Sequence, residues 1–176
     1  MRLFFALWPE ELVCRQLAEL SLKVRQSCGG RATPFDNLHL TLVFLGQVAE
    51  EEIGKVRGAA EEVQLPGFEL RLTDLGFWPA KGIAWIAPGN PPRTLFDLAG
   101  KLASRLAARG FRLETRPYVP HLTLLRRARC DGVSLPAVDI AWPVRQFVLV
   151  ASTLSSHGAS YERLGVWPLA AKAGVD

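Results

Sequence analysis

One tetrapeptide occurs twice in this chain, as His39-Leu40-Thr41-Leu42 and as His121-Leu122-Thr123-Leu124, so that the copies start 82 residues apart. There are three histidines in 176 residues, and two of them head this motif. With only seven threonines available, chance is a poor account of Thr at i+2 in both copies. The flanking runs, Leu38–Leu45 and Val119–Leu125, have the composition and length of strands. Successive side chains on a strand alternate faces, so each copy sends its two leucines one way and its His and Thr the other. A lone histidine in such a place is most simply a satisfied polar residue on a half-exposed strand. A matched pair in a chain with one other histidine reverses that weighting.

The surroundings of the two copies repeat as well. A first strand, Arg2–Trp8, leads through Pro9-Glu10-Glu11 into an amphipathic helix with Leu12, Val13, Leu17, Leu20 and Val24 on its apolar side. Cys28-Gly29-Gly30 ends it, and the first motif strand follows, closed by Gly46. A second helix is predicted over Glu50–Val63, and strands over Phe68–Leu75 and Gly82–Ala87. A third helix, Pro91–Gly110, carries Leu95, Leu98, Leu102 and Leu106, with Gly110 suited to its C-terminal cap. Phe111–Glu114, the second motif strand, Val144–Ser152 and Tyr161–Val166 complete the strands. Strand, helix and motif strand thus recur in each half. The expectation is an internally duplicated α+β fold whose motif strands face one another across a cleft.

Composition narrows the class. Hydrophobic residues make up 49% and charged residues 22%, which allows a sizeable core. The apolar start, Met1–Trp8, is too short for a signal segment or a membrane span, so a cytoplasmic protein that meets no membrane is expected. Cys14, Cys28 and Cys130 are odd in number and follow no metal or redox spacing, so reduced thiols are expected. Net charge is +4, carried by sixteen arginines and five lysines, which permits an anionic partner. Arg112, Arg116, Arg126, Arg127 and Arg129 bracket the second motif and nothing comparable brackets the first. That asymmetry suggests different work for the two histidines.

Two histidines facing one cleft can divide proton transfer, one neutral and accepting, the other protonated and donating. Their ordinary pKa near 6.5 populates both forms around neutrality. The threonine hydroxyls, one strand repeat away, can donate to oxyanions on the reacting group. No step calls for a metal or cofactor, and HExxH, Walker and Gly-x-Ser-x-Gly motifs are missing. A three-histidine zinc site using His157 is disfavoured, because Ser155–Ser160 reads as a surface turn.

These residues resemble the 2H phosphoesterases, whose signature is a pair of His-x-Thr-x motifs about eighty residues apart. The flanks are similar to the LigT-like RNA 2′,3′-cyclic phosphodiesterases, also described as 2′–5′ RNA ligases. The matching stretches are Arg2–Leu7, Asn37–Leu42 with Phe44-Leu45-Gly46, Arg116–Leu124, and Ser152-Thr153-Leu154 with Gly158-Ala159-x-Tyr161. The resemblance implies one bilobal domain over 1–176, with two pseudo-symmetric lobes, antiparallel sheets flanking a positively charged central cleft, and helices outside. It implies metal-independent hydrolysis of a terminal 2′,3′-cyclic phosphate on RNA or a nucleotide to a 2′-phosphomonoester; a monomer without an obligate protein partner is expected. His39 would be the proton donor and His121 the acceptor, with Thr41, Thr123 and Arg126 on the phosphate. Two stretches depart from the pattern: Leu124-Leu125-Arg126, and Leu7-Trp8-Pro9.

Other 2H activities remain open on sequence: cleavage or reversible ligation of 2′–5′ linkages, and hydrolysis of ADP-ribose cyclic phosphate. A non-catalytic RNA-binding module, using Phe35, Phe77, Trp78 and Tyr118 for stacking, is a further class. It gives no reason for two matched His-Thr pairs.

Overall fold

Leu40 and Leu122 are both fully buried and lie opposite one another as the register pair that joins strand β3 (Leu40–Gln47) to strand β6 (Leu122–Arg126). This pair is the seam of the molecule. The structure, a computed structural model, describes residues 1–132, 134–155 and 158–171. On one side of the seam β3 pairs with β1 (Arg2–Leu7), then β8 (Gln146–Ser155), then β9 (Gly158–Pro168). On the other, β6 pairs with β5 (Ile83–Pro88), then β4 (Phe68–Trp78), then β7 (Ile140–Val144). Every pairing is antiparallel, and a two-residue strand, β2 (Arg31–Ala32), adds to the free edge of β6. The two expected sheets therefore merge through the seam into one nine-stranded sheet.

Repeat and lobe are not the same thing. The chain runs β1–α1–β3 and then β5–α3–β6, with α1 at Glu11–Cys28 and α3 at Arg93–Ala108. After each motif the chain crosses to the other lobe: β4 follows β3 but pairs with β5, and β8, reached through β7, pairs with β1. The helices cross too, α1 packing on β6 and β7 and α3 on β3. Each lobe is thus completed by the other repeat, which ties the halves into one core. That core gathers Leu40, Leu42, Leu122 and Leu124 with Leu17, Leu20 and Val24 of α1 and Leu95, Leu98 and Leu102 of α3. The leucine face of the motif lies here, as alternation requires. Leu122→Ala is expected to cost about 2–5 kcal/mol of unfolding free energy, because the site is closed on all sides and cannot collapse. Denaturant unfolding checks this; a cost below about 1 kcal/mol would mean that the seam is not a packing point.

Several boundaries differ from expectation. Phe111–Glu114 is not a strand, and the second helix begins as a 3-10 turn, Glu50–Glu52, before α2 (Ile53–Glu61). β7 escapes sequence reading because Pro143 interrupts its strand pattern; at the sheet edge that proline withholds no ladder bond the fold needs. Cys28 and Cys130 are joined as a disulfide across a 4.6 Å Cα separation, against the expectation of free thiols, while Cys14 is free and buried. A separation of 102 residues carries no motif, so only the fold brings them together. Gly30 beside them is indispensable: a Cβ there would lie 2.7 Å from the Arg126 carbonyl oxygen. Among the described residues no helix is long and apolar enough to cross a membrane.

Candidate active site

The motif strands begin two and three residues later than expected, at Leu40 and Leu122, so each histidine stands immediately before its strand. The cause is local. A 3-10 turn, Phe35–Asn37, precedes His39, and Pro120, which has no N–H to give a ladder, precedes His121. The freed carbonyls are used by the rings. His39 Nδ1–H donates to the Asn37 carbonyl at 2.7 Å and His121 Nδ1–H to the Val119 carbonyl at 2.8 Å. A carbonyl only accepts, so this nitrogen carries the proton and Nε2 is left for chemistry in both rings. Continued from Leu40↔Leu122, the antiparallel register sets His39 across from Thr123 and Thr41 across from His121.

All four side chains line one cavity of about 540 Å³, together with Arg126. The threonine backbones are held from outside the motifs. Tyr118 Oη donates to the Thr41 carbonyl at 3.1 Å, and Thr33 Oγ1 to the Thr123 carbonyl at 2.8 Å. Asn37 does a second job, donating from Nδ2 to the Ala159 carbonyl at 2.9 Å and so fastening the β8–β9 hairpin beside His39.

The histidines sit in unequal surroundings. His39 stacks on Trp8 at 5.1 Å and 11° and meets the edge of Tyr161 at 5.2 Å. The Arg163 guanidinium lies over Trp8 at 5.0 Å. His121 meets Trp78 at 4.6 Å and 75°, and Lys81 lies over that indole at 5.3 Å. Burial holds His39 well below its ordinary value, at about 4, with the charges of Arg126 and His121 adding to the effect and the Asn37 hydrogen bond opposing it. Burial lowers His121 as well, assisted by Lys81 and Arg126 and opposed by its bond to Val119. The unperturbed value near 6.5 therefore does not carry over to the cleft.

Charge around the site is only partly that expected. Of the five arginines bracketing the second motif, Arg126 and Arg127 line the cavity; Arg112, Arg116 and Arg129 do not. Neighbours on a strand point to opposite faces, yet Arg126 and Arg127 share one cavity. Arg127 has φ +55°, and this left-handed turn at the end of β6 breaks the alternation. Arg2 and Arg31 complete the basic lining. The asymmetry of arginines along the sequence is therefore not an asymmetry in space. Arg2, Asn37 and Tyr161 lie in stretches that match the family pattern, but the pattern gives them no role at the site; Trp8 departs from that pattern and Arg31 lies outside it. Of the aromatics considered for stacking, Phe35 lines neither large cavity and Phe77 packs on the core, whereas Trp78 and Tyr118 flank the site. Among the described residues no three of His, Cys, Asp or Glu gather as a metal-binding group. His157, on which the zinc alternative depends, lies outside the described residues.

A family model for LigT like phosphoesterase matches twice, over residues 7–85 and 86–161, one motif in each match. The chain belongs to the LigT-like phosphoesterase family. It is 36% identical over 170 residues to the RNA 2′,3′-cyclic phosphodiesterase of Escherichia coli K12, covering 96% of both chains. It is 32% identical over 186 residues to the protein of the same name from Thermus thermophilus, covering 99% of this chain and 93% of the relative. The crystal structure of E. coli LigT complexed with 3′-AMP superposes with a TM-score of 0.86 at 35% identity, over 96% of this chain and 97% of that one. In this LigT-like chain the boundary between the two matches falls inside β5, between the first lobe's motif strand and the second's.

Proposed function

We propose that the protein hydrolyses a terminal 2′,3′-cyclic phosphate on RNA or a nucleotide to a 2′-phosphomonoester, without a metal. The carrying observation is the pair of imidazoles whose Nδ1–H groups are tied to backbone carbonyls, leaving two Nε2 atoms for one basic cavity. Water gives a proton to Nε2 of His121 as its oxygen bonds to phosphorus. The P–O3′ bond breaks, and O3′ takes the proton from Nε2 of His39. Thr41 and Thr123 hydroxyls and the Arg126 guanidinium stabilise the non-bridging oxygens as their charge grows. Placing the donor at His39 follows the family resemblance; the stacked face of Trp8 favours an imidazolium there, while burial and the nearby charges oppose it. The names of the relatives support the same substrate.

The test is product identity. Purified protein in EDTA is expected to convert a 2′,3′-cyclic nucleotide to the 2′-phosphate; the 3′-phosphate alone, or dependence on added metal, contradicts the scheme. The pH dependence follows from the lowered imidazoles. The form with one ring protonated and one neutral is scarce at neutral pH in the free protein and grows as pH falls. Thus kcat/KM for a cyclic mononucleotide should peak below pH 6.5 and fall about tenfold per pH unit well above the peak. A bound phosphate anion offsets the burial, so the kcat profile should lie at higher pH. Superimposed profiles with an optimum above 7 would count against it.

A further inference from the structure

A second cavity, of about 740 Å³, opens beside the first and shares Thr41, His121, Thr123, Arg126 and Phe44 with it. We propose that this cavity is the track for the nucleotides that precede the cyclic-phosphate end of a single-stranded RNA, making an oligonucleotide rather than a mononucleotide the preferred substrate. The inference rests on the phosphodiesterase reading above and adds substrate length to it.

Three observations carry it. The first is the clustering of exposed hydrophobic surface. Phe44 and Phe96 are each 41% exposed and Val119 59%, and all three line this cavity although they come from β3, α3 and the loop before β6. Scattered apolar residues on a surface need no explanation, whereas a contiguous set rimmed by charge marks a binding site. Phe96 stands edge-on to Tyr118 at 6.1 Å and 81°, and the α3 surface beside it is made of Ala99, Gly100 and Ala103, small residues that leave room for a planar group.

The second is charge. Lys81, Arg116 and Arg126 line the cavity against one carboxylate, Glu114, which is bound by Arg116 (Nε to Oε1, 2.9 Å). Aromatic platforms interleaved with cations suit single-stranded nucleic acid, since bases stack on the rings while phosphates follow the charges. The third is continuity. A strand whose cyclic phosphate lies between the histidines has only its 5′ side left to place. Phe44 lines both cavities, with the Arg2 guanidinium over its ring at 4.9 Å, so an aromatic platform and a cation stand where the two cavities meet.

The experiment compares kcat/KM for a cyclic mononucleotide with RNAs of two, four and eight nucleotides ending in the same cyclic phosphate. The expected gain is on the order of tenfold for each of the first added bases that stacks, then a plateau. Phe96→Ala should lower the ratio of oligonucleotide to mononucleotide kcat/KM several-fold and Phe96→Tyr should restore it, while Arg116→Ala lowers the ratio most at low salt. A ratio near one in the native protein, or a ratio that Phe96→Ala does not move, overturns the proposal. If no cyclic phosphate is turned over at all, the phosphodiesterase reading fails. The track is then judged by fluorescence anisotropy of a labelled tetranucleotide ending in a 2′-phosphate. Affinity that Phe96→Ala weakens keeps it, and affinity indifferent to that change removes it.

Discussion

His39→Ala and His121→Ala are each expected to lower kcat for a 2′,3′-cyclic nucleotide by about 10²–10⁴-fold, equivalent to roughly 3–5 kcal/mol of barrier. The fold should survive both changes. Neither ring contributes a hydrogen bond to another strand; each donates only to the carbonyl two residues before it. The double variant should be scarcely worse than the poorer single one, because two groups that act in one proton relay are not additive. The roles separate with an activated substrate. An aryl phosphodiester departs as a phenolate that needs no proton, so it should recover much of the loss in His39→Ala, the donor variant, and little in His121→Ala. Recovery in the opposite order would exchange the roles, and full native turnover in either single variant would end the two-histidine scheme.

What the sequence disclosed follows from the ranges over which its signals act. Alternation along a strand is local, so the split of Leu40 and Leu42 from His39 and Thr41 was legible, and it places the motif leucines in the core as expected. The repeat made the duplication legible for the same reason. The crossing of β4 and β8 between lobes was not, since antiparallel partners so far apart in sequence leave no local pattern. The same limit hid the Cys28–Cys130 disulfide and the arrival of Arg2 and Arg31 in the cavity that holds both histidines. Trp8 is the instructive case: read along the chain, it is the last apolar residue of a first strand. In space it is the plane on which His39 stacks, and nothing within eight residues of either motif points to it.

Thr41→Val and Thr123→Val are expected to lower kcat by about 10²–10³-fold each, the size found when one donor to a developing oxyanion is removed. Valine keeps the branched shape and strand preference but has no hydroxyl, so the backbone should stay where the Tyr118 and Thr33 hydrogen bonds hold it. Thr→Ser at either position keeps the donor and should retain activity within about tenfold of the native protein, the remaining loss reflecting a freer hydroxyl rotor. The pattern of constants matters more than the size. A donor that strengthens its bond only as charge develops lowers kcat and kcat/KM together. One that merely holds the substrate raises KM and leaves kcat alone. The register sets each threonine across from the other motif's histidine, so both should fall in the first class, and with similar magnitude. A rise in KM with unchanged kcat in both valine variants would reduce the threonines to ground-state phosphate binding. Transition-state stabilisation would then rest on Arg126 and the neighbouring basic side chains of the cleft.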